Sequence, residues 1–278
     1  MILAAGLGTR LRPLTDRLAK PLVPIGDRPA IAHVVDRLRA VGVSRIVVNT
    51  HHHAAQLRAF VDPQPDLSLS EEPDLLGTAG GVGRAGSLLG DGDVLVWNAD
   101  ILADVDVEAL VAAHASAATL VVQPLPAGQG SVGLDASGRI VRLRAERFGD
   151  ETSGGQFPGV YVLGEELRAR LPERGGIIED VLIPALARGT TLRAFPFAGA
   201  WRDIGTIDSY LDANVAWLQR RGATSWVGPG AQVVEGVFLE SAVVGPGASV
   251  LGHGPVIRTV VWPGARAHAP LEGAIVTA

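Results

Sequence analysis

The sequence contains no cysteine. That absence excludes a disulfide framework, thiolate metal sites and a cysteine nucleophile together. No apolar run approaches the roughly 18 residues of a membrane helix, and Met1 leads directly into what reads as a first strand. Such a start implies either a short strand or a native start a few residues upstream. An excess of positive charge is also missing: 24 Lys and Arg against 29 Asp and Glu give a net charge of -5 and a pI near 5.8. No basic footprint therefore points to nucleic acid or to an anionic membrane, and cations are better sought in local clusters aimed at phosphates. What is present is 278 residues, 47% of them hydrophobic and 19% charged. That suits a compact soluble protein, with a large core or with one large domain and a smaller attachment, and the missing cysteines and membrane runs make a cytoplasmic enzyme the default reading.

The densest signal lies at the start. Leu3-Ala4-Ala5-Gly6-Leu7-Gly8-Thr9-Arg10-Leu11-Arg12-Pro13-Leu14-Thr15 is followed closely by Lys20-Pro21-Leu22-Val23-Pro24-Ile25. An apolar, strand-like run breaks into a Gly-x-Gly turn, which delivers a fixed cation at Arg10 and a mobile one at Lys20. Glycines let backbone N–H groups approach an anion, and Arg and Lys neutralise what the amides cannot. Two better-known phosphate loops do not match. A dinucleotide fingerprint needs a third glycine where Leu11 stands, and no Gly-Lys-Ser/Thr closes a longer P-loop.

Along the chain, Ile31, Val34, Val35, Leu38 and Val41 mark an amphipathic helix ended by Gly42, and Arg45 to Asn49 reads as a buried strand. A helix over Ala54 to Val61, a weaker strand over Leu67 to Ser70, a helix over Gly80 to Leu89 and a strand over Val94 to Trp97 follow. Val107, Leu110, Val111 and His114 carry the next helix, with Thr119 to Gln123 as a strand after it. This alternation predicts an α/β fold with a Rossmann-like, mostly parallel sheet and helices on both faces. Ligands collect beyond the carboxyl ends of such strands, where the first motif, Asn98 to Asp100 and the loop after Asn49 all fall. Shorter strands over Ser131 to Leu134, Arg139 to Leu143 and Phe157 to Leu163 suggest an antiparallel addition that covers a substrate. Helical spacing returns over Ile178 to Ala187 and from Ile207 to about Leu218.

After Arg221 the composition changes. Segments beginning at Val227, Val244 and Trp262 repeat a small-residue Pro-Gly-Ala pattern, their first residues 17 and 18 positions apart. Three hexapeptides make one coil of a left-handed parallel β-helix, with Val or Leu pointing inward. The expected division is a catalytic domain at 1–221 and a short β-helix at 222–278. A stack so short must pack on the catalytic domain or on a neighbouring subunit, which points to a homo-oligomer through the β-helix.

Gly-x-Gly-Thr-Arg-Leu-x-Pro-Leu-Thr with Lys-Pro-Leu-x-Pro-Ile resembles the signature of the sugar-1-phosphate nucleotidyltransferases, the NDP-sugar pyrophosphorylases. Leu76 to Gly81 together with Asn49 to His52 looks most like the bacterial mannose-1-phosphate guanylyltransferase group. The resemblance implies attack by a sugar 1-phosphate oxygen on the α-phosphorus of a nucleoside triphosphate, releasing pyrophosphate and an NDP-sugar. GTP and mannose 1-phosphate are the expected pair. The alternatives are a uridylyl- or thymidylyltransferase for an N-acetyl amino sugar or glucose, or a non-catalytic nucleotide-sensing regulatory subunit of the same fold. Retention of Arg10, Lys20 and both carboxylates disfavours the last.

Carried over residue by residue, Arg10 with the amides of Gly6, Gly8 and Thr9 would hold the β- and γ-phosphates. Lys20 would reach the α-phosphate or the sugar phosphate, although Ala19 precedes it where the family usually has proline. Asp100 and Asp203 would share one Mg²⁺, an ion that prefers oxygen ligands. Ala99 replaces the usual glycine before the first of them. Leu3, Ala4 and Ala5 would face the base, bordered by Gly77, Thr78, Ala79 and Gly80. Gly130 and Gly159 would let the sugar lie close to backbone. Glu146 and Arg147 stand where many members have Glu-Lys-Pro, so Arg147 would do a lysine's work on the sugar phosphate, and Arg for Lys is not neutral there. His51, His52 and His53 read better as stacking or helix-capping groups than as a metal cluster, because adjacent side chains diverge.

Overall fold

The computed structural model describes residues 1–278, which form two compact units: Met1–Leu7 with Val34–Trp201, and Gly8–His33 with Arg202–Ala278.

The first unit is built on an eleven-stranded mixed sheet. Val94–Asn98, Ile2–Leu3, Ile46–Thr50 and Leu67–Glu71 lie side by side and parallel. All five residues of Ile46–Thr50 are buried, which is why this strand reads as an unbroken apolar run rather than an alternating one. Beyond Val94–Asn98 the sheet turns antiparallel through Val160–Leu163, Ala118–Leu125, Ser153–Gln156, Val132–Leu134, Ile140–Leu143 and the edge pair Glu146–Arg147. The antiparallel addition expected after Ser131 is therefore real, and it is wider than the sequence suggests. Ser153–Gln156 contains two glycines and Glu146–Arg147 is only two residues long, so neither carries a hydrophobic period. Leu192–Pro196 adds a further strand, parallel to Ala118–Leu125. The core packs Val47, Val96, Leu120, Val122, Tyr161 and Leu163 against Ile177, Val181 and Leu182.

Two helical boundaries differ from expectation. The helix placed at Gly80 to Leu89 begins at Gly77 and breaks at Ala85, giving Gly77–Arg84 and Gly86–Leu89. Glycines hide a helix start from propensity arguments. Over 178 to 187 the chain forms a π-helical turn, Ile177–Leu182, leading into the α-helix Ile183–Ala187, with Pro184 at the join.

In the second unit, Thr206 caps the helix Ile207–Arg220. Its hydroxyl accepts from Ser209 N, and Ser209 Oγ accepts from Thr206 N in return. The buried face of this helix, including Tyr210, Asn214 and Trp217, holds the segment that follows Lys20. Asn214 Oδ1 accepts the Gly26 amide at 2.8 Å, and Tyr210 Oη donates to Pro24 O at 2.8 Å. Gly26 lies at φ +62°, and a Cβ there would fall 2.0 Å from the Trp217 ring. Gly26→Ala is expected to destabilise the protein by about 3 kcal/mol, combining overpacking with a left-handed backbone; urea unfolding would measure this.

The last strands stack in parallel. Ser225–Val227, Ala242–Val244, Val260–Val261 and Ile275–Val276 make one ladder. Gln232–Val233 and Val237–Glu240 both pair with the long strand Ser249–Ile257, which pairs in turn with Arg266–Glu272. The register advances by 17 residues (Ser225 to Ala242, Ser249 to Arg266) and by 15 at the last step (Val260 to Ile275), not by the 18 of three full hexapeptides. Inside lie Ala242, Val244, Ala248, Val250, Val256 and Val261, and Trp262 Nε1 donates to Tyr210 Oη at 2.9 Å.

Candidate functional site

The polar ends of the parallel strands in the first unit are tied together by side chains. Ala4 donates its amide to Asn49 Oδ1 at 2.7 Å, and Ala99 donates to Leu3 O at 2.9 Å. Asn49 Nδ2 then donates to Glu72 Oε1 at 2.6 Å, while Glu72 Oε2 accepts the Leu76 amide at 3.0 Å. Asn49 and Glu72 are 2% and 4% exposed, so this chain of polar contacts is a buried strut from the first strand to the Gly77–Arg84 helix. Gly81 makes room for it, since a Cβ there would meet both side chains at 2.7 Å. The glycine segment is fixed from the other side too: Gly77 has φ +78° and approaches Gly175 O, Ala79 donates to Gly175 O, and Thr78 Oγ1 accepts the Ile177 amide at 2.7 Å.

Leu3 to Gly6, Gly77 to Gly80, Asp100 and Gly159 all belong to this unit. Asp100 follows Val94–Asn98 in the turn before Ile101–Ala103, and Trp97 Nε1 braces that turn by donating to Ile101 O at 2.8 Å. Gly159 has φ +103° and donates no side chain to crowd Asn98, whose amide hydrogen-bonds Gly159 O. His51 Nδ1 lies 2.9 Å from Glu72 O; the His52 and His53 rings lie 3.9 Å apart and are tilted by 51°, so these two neighbours do not diverge as expected; and His53 precedes the helix Ala54–Val61 in a left-handed conformation without a side-chain cap.

The cations sit in the second unit. Gly8 turns with φ +65°, and its carbonyl accepts the Leu11 amide and the Thr15 hydroxyl. A Cβ at Gly8 would meet Thr15 and the Cβ of Lys20 at 2.9 and 3.1 Å, so the glycine is what lets Lys20 pack against the turn. Arg10 Nη2 lies 3.9 Å from Asp203 Oδ2. Gly205 allows that approach, because a Cβ there would lie 2.9 Å from Asp203 Oδ2 and 3.1 Å from Arg10 Nη2. Arg10, Lys20 and Asp203, distant in sequence, thus belong to one compact unit, and Asp100 to the other.

On the antiparallel side, Glu146 and Arg147 are exposed at the sheet edge, opposite Leu143 and Arg142. Gly130 has φ +70° in the loop before Val132–Leu134. The residues that organise this region, Arg142 and Glu151, escape a reading for motifs. Arg142 holds an inward position in the alternating Ile140–Leu143 strand, and that is the one signal that marks it out.

A mixed α/β sheet whose parallel strands end in polar loops is an architecture shared by many nucleotide-binding enzymes, and a glycine turn carrying Arg and Lys has the chemistry of an anion site. A family model described as Nucleotidyl transferase matches residues 1–220. The chain is 30% identical over 263 residues to a probable mannose-1-phosphate guanylyltransferase 2 of Arabidopsis thaliana, covering 86% of this chain and 71% of that one. It is 32% identical over 247 residues to the mannose-1-phosphate guanylyltransferase catalytic subunit beta of Xenopus tropicalis, covering 83% and 68%. HddC from Yersinia pseudotuberculosis, solved with GMP-PN, shares the fold at a TM-score of 0.66 and 23% identity, covering 78% of this chain and 97% of that one. The chain belongs to the nucleotidyl transferase family and is a transferase.

Proposed function

We propose that the protein joins mannose 1-phosphate to GTP, giving GDP-mannose and pyrophosphate. The observation that carries this reading is the meeting of Arg10, Asp203 and Gly205 in the unit where Lys20 packs on the Gly8 turn. The choice of substrates follows the names of the relatives in Arabidopsis and Xenopus.

In this reading a phosphate oxygen of the sugar 1-phosphate forms a bond to the α-phosphorus of GTP. The bridging bond from the α-phosphorus to the pyrophosphate oxygen breaks, in line. Two anions must meet, so positioning and charge neutralisation carry the catalysis. Arg10 and the amides of Gly6, Gly8 and Thr9 neutralise the departing pyrophosphate, and Lys20 steadies the α-phosphate or the sugar phosphate. Leu3, Ala4 and Ala5, with the Ala4 amide held by Asn49, border the base with Gly77 to Gly80. Gly130, Glu146, Arg147 and Gly159 take the sugar phosphate.

Family members generally use a divalent metal such as Mg²⁺. Asp100 and Asp203 are the donors we assign to it, and their chemistry fits: two carboxylates suit a hard cation that fills its shell with water and substrate phosphates. When bound, the ion would withdraw charge from the phosphoryl oxygens. We assign catalysis to residues 1–221 and read the parallel strands of 222–278 as a short left-handed β-helix that joins subunits. No helix is long and apolar enough to cross a membrane, and a cytoplasmic location accords with the nucleotide substrates.

Pyrophosphate release measured across four nucleoside triphosphates and a panel of sugar 1-phosphates, with Mg²⁺, tests the reading. GTP with mannose 1-phosphate should give the highest kcat/KM. Faster turnover of a uridine or thymidine nucleotide would replace the assignment, and no turnover of any pair would remove it.

A further inference from the structure

Arg142 and Glu151 form an ion pair with side chains only 6% and 3% exposed. The pair is bidentate: Arg142 Nε donates to Glu151 Oε2 at 2.8 Å and Nη2 to Oε1 at 3.0 Å. The rest of the guanidinium is given to backbone. Nη1 donates to Gly130 O and Arg144 O at 3.0 and 3.1 Å, and Nη2 to Gln129 O and Val132 O at 3.2 and 3.1 Å. Glu151 Oε1 accepts the Gly128 amide at 2.7 Å, and its Oε2 lies 3.4 Å from Nη1 of Arg147.

A pair this buried is poor evidence for stability, since two apolar side chains of similar volume often do as well. Its geometry serves something else. Nearly every polar atom it offers goes to residues 128–132 and to Arg147, the loop and the cation that flank the assigned sugar-phosphate site. Glycines are placed to allow this. A Cβ at Gly133 would lie 2.5 Å from the Glu151 carboxylate, one at Gly154 would lie 2.4 Å from Gln129 O and from Pro126 O, and one at Gly130 would lie 2.2 Å from Gly155 O. The hydrogen bond from Arg142 holds the Glu151 carboxyl down at about 2, so Glu151 stays ionised throughout the pH range of an assay.

We propose that the Arg142–Glu151 pair positions the 128–132 loop and aims Arg147, and so sets the affinity for the sugar 1-phosphate rather than for the nucleotide. One nitrogen of Arg147 is held by Glu151 while 61% of the side chain stays exposed. A guanidinium anchored at one edge keeps donors on the other for an anion, with little rotamer entropy left to lose on binding. This inference rests on the function proposed above, and it concerns positioning residues, since neither side chain reaches solvent.

The test is steady-state kinetics of Glu151→Gln and of the double variant Arg142→Met, Glu151→Met, with mannose 1-phosphate and GTP varied separately. Wild-type turnover checks the proposed function on its own. For Glu151→Gln, KM for mannose 1-phosphate should rise at least about tenfold, while kcat and KM for GTP stay within about threefold. The double variant should regain a near-native melting temperature yet keep the raised KM. A double variant that recovers both would show the pair to be packing only. Equal rises in both KM values, or no change in either, would also overturn the proposal. Hydrogen exchange on the wild-type protein needs no folded variant. The Gly128 amide lies in an exposed loop but donates to a buried carboxylate, so it should be protected, and more so with mannose 1-phosphate added. Free exchange at Gly128 would sink the idea.

Discussion

Alanine at Asp203 is expected to lower turnover by at least about a hundredfold, the scale of losing one preorganised charge-stabilising group. The carboxylate lies 3.9 Å from Arg10 over Gly205, so its removal takes a donor from the assigned metal and a neighbour from the cation assigned to the pyrophosphate together. The fold should survive, because the buried Ile204 and the Thr206–Ser209 box still hold that segment. Asp100→Ala should cost a similar factor, and Trp97 Nε1 still braces its turn by donating to Ile101 O. Pyrophosphate release at saturating substrates, with Mg²⁺ titrated, separates the outcomes. A metal donor's loss should move the Mg²⁺ midpoint upward as well as lowering the rate. Near-normal turnover in either variant would remove that residue from the site.

Lys20→Arg is expected to lose about a hundredfold in kcat/KM, almost as much as Lys20→Met. Of the 24 cationic Lys and Arg residues, Lys20 is the only lysine. Arginine serves everywhere else in this chain, so the arginine variant tests whether a guanidinium can serve at the one position that keeps an ammonium. The structure supplies a reason for the expected loss: Lys20 leaves the backbone tight against the Gly8 turn, where its Cβ would sit 3.1 Å from any Cβ on Gly8. From there a compact ammonium on a flexible stem can reach a phosphate, whereas a rigid planar fork needs more room. Unfolding midpoints should match wild type for both variants. An arginine variant within about threefold of wild type would show that charge alone matters at position 20.

Much of the first unit could be read from the sequence, because Ile46–Thr50 is buried along its whole length and Val94–Asn98 nearly so, and both announce themselves as apolar runs. The Gly8 turn, Arg10 and Lys20 were legible for a different reason: glycine and cation at fixed spacing leave few alternative uses. What stayed hidden was polar and non-local. Asn49 and Glu72 pair across 23 positions, and Arg142 spends its guanidinium on backbone carbonyls that no side-chain pattern records. The Gly77 helix start is masked by its own glycines, whereas the 17-residue step of the last strands is already visible in the spacing from Val227 to Val244. Arg147 was found by resemblance, but its partner Glu151 follows it in a loop with no periodicity.

The segment Gly8–His33 folds with Arg202–Ala278, although it lies near the start of the chain. Its anchors are remote: Gly26 meets Asn214 across 188 positions, and Pro24 meets Tyr210 across 186. During synthesis, at about 5–20 residues per second, the cations must therefore wait for helix 207–220 to leave the ribosome. A nascent chain that has emerged only through residue 201 can already complete the first unit's sheet, while Arg10 and Lys20 remain on an unanchored segment. Truncated products would have the sheet without an organised Gly8 turn, so the second unit is completed last, when nearly the whole family segment has been made.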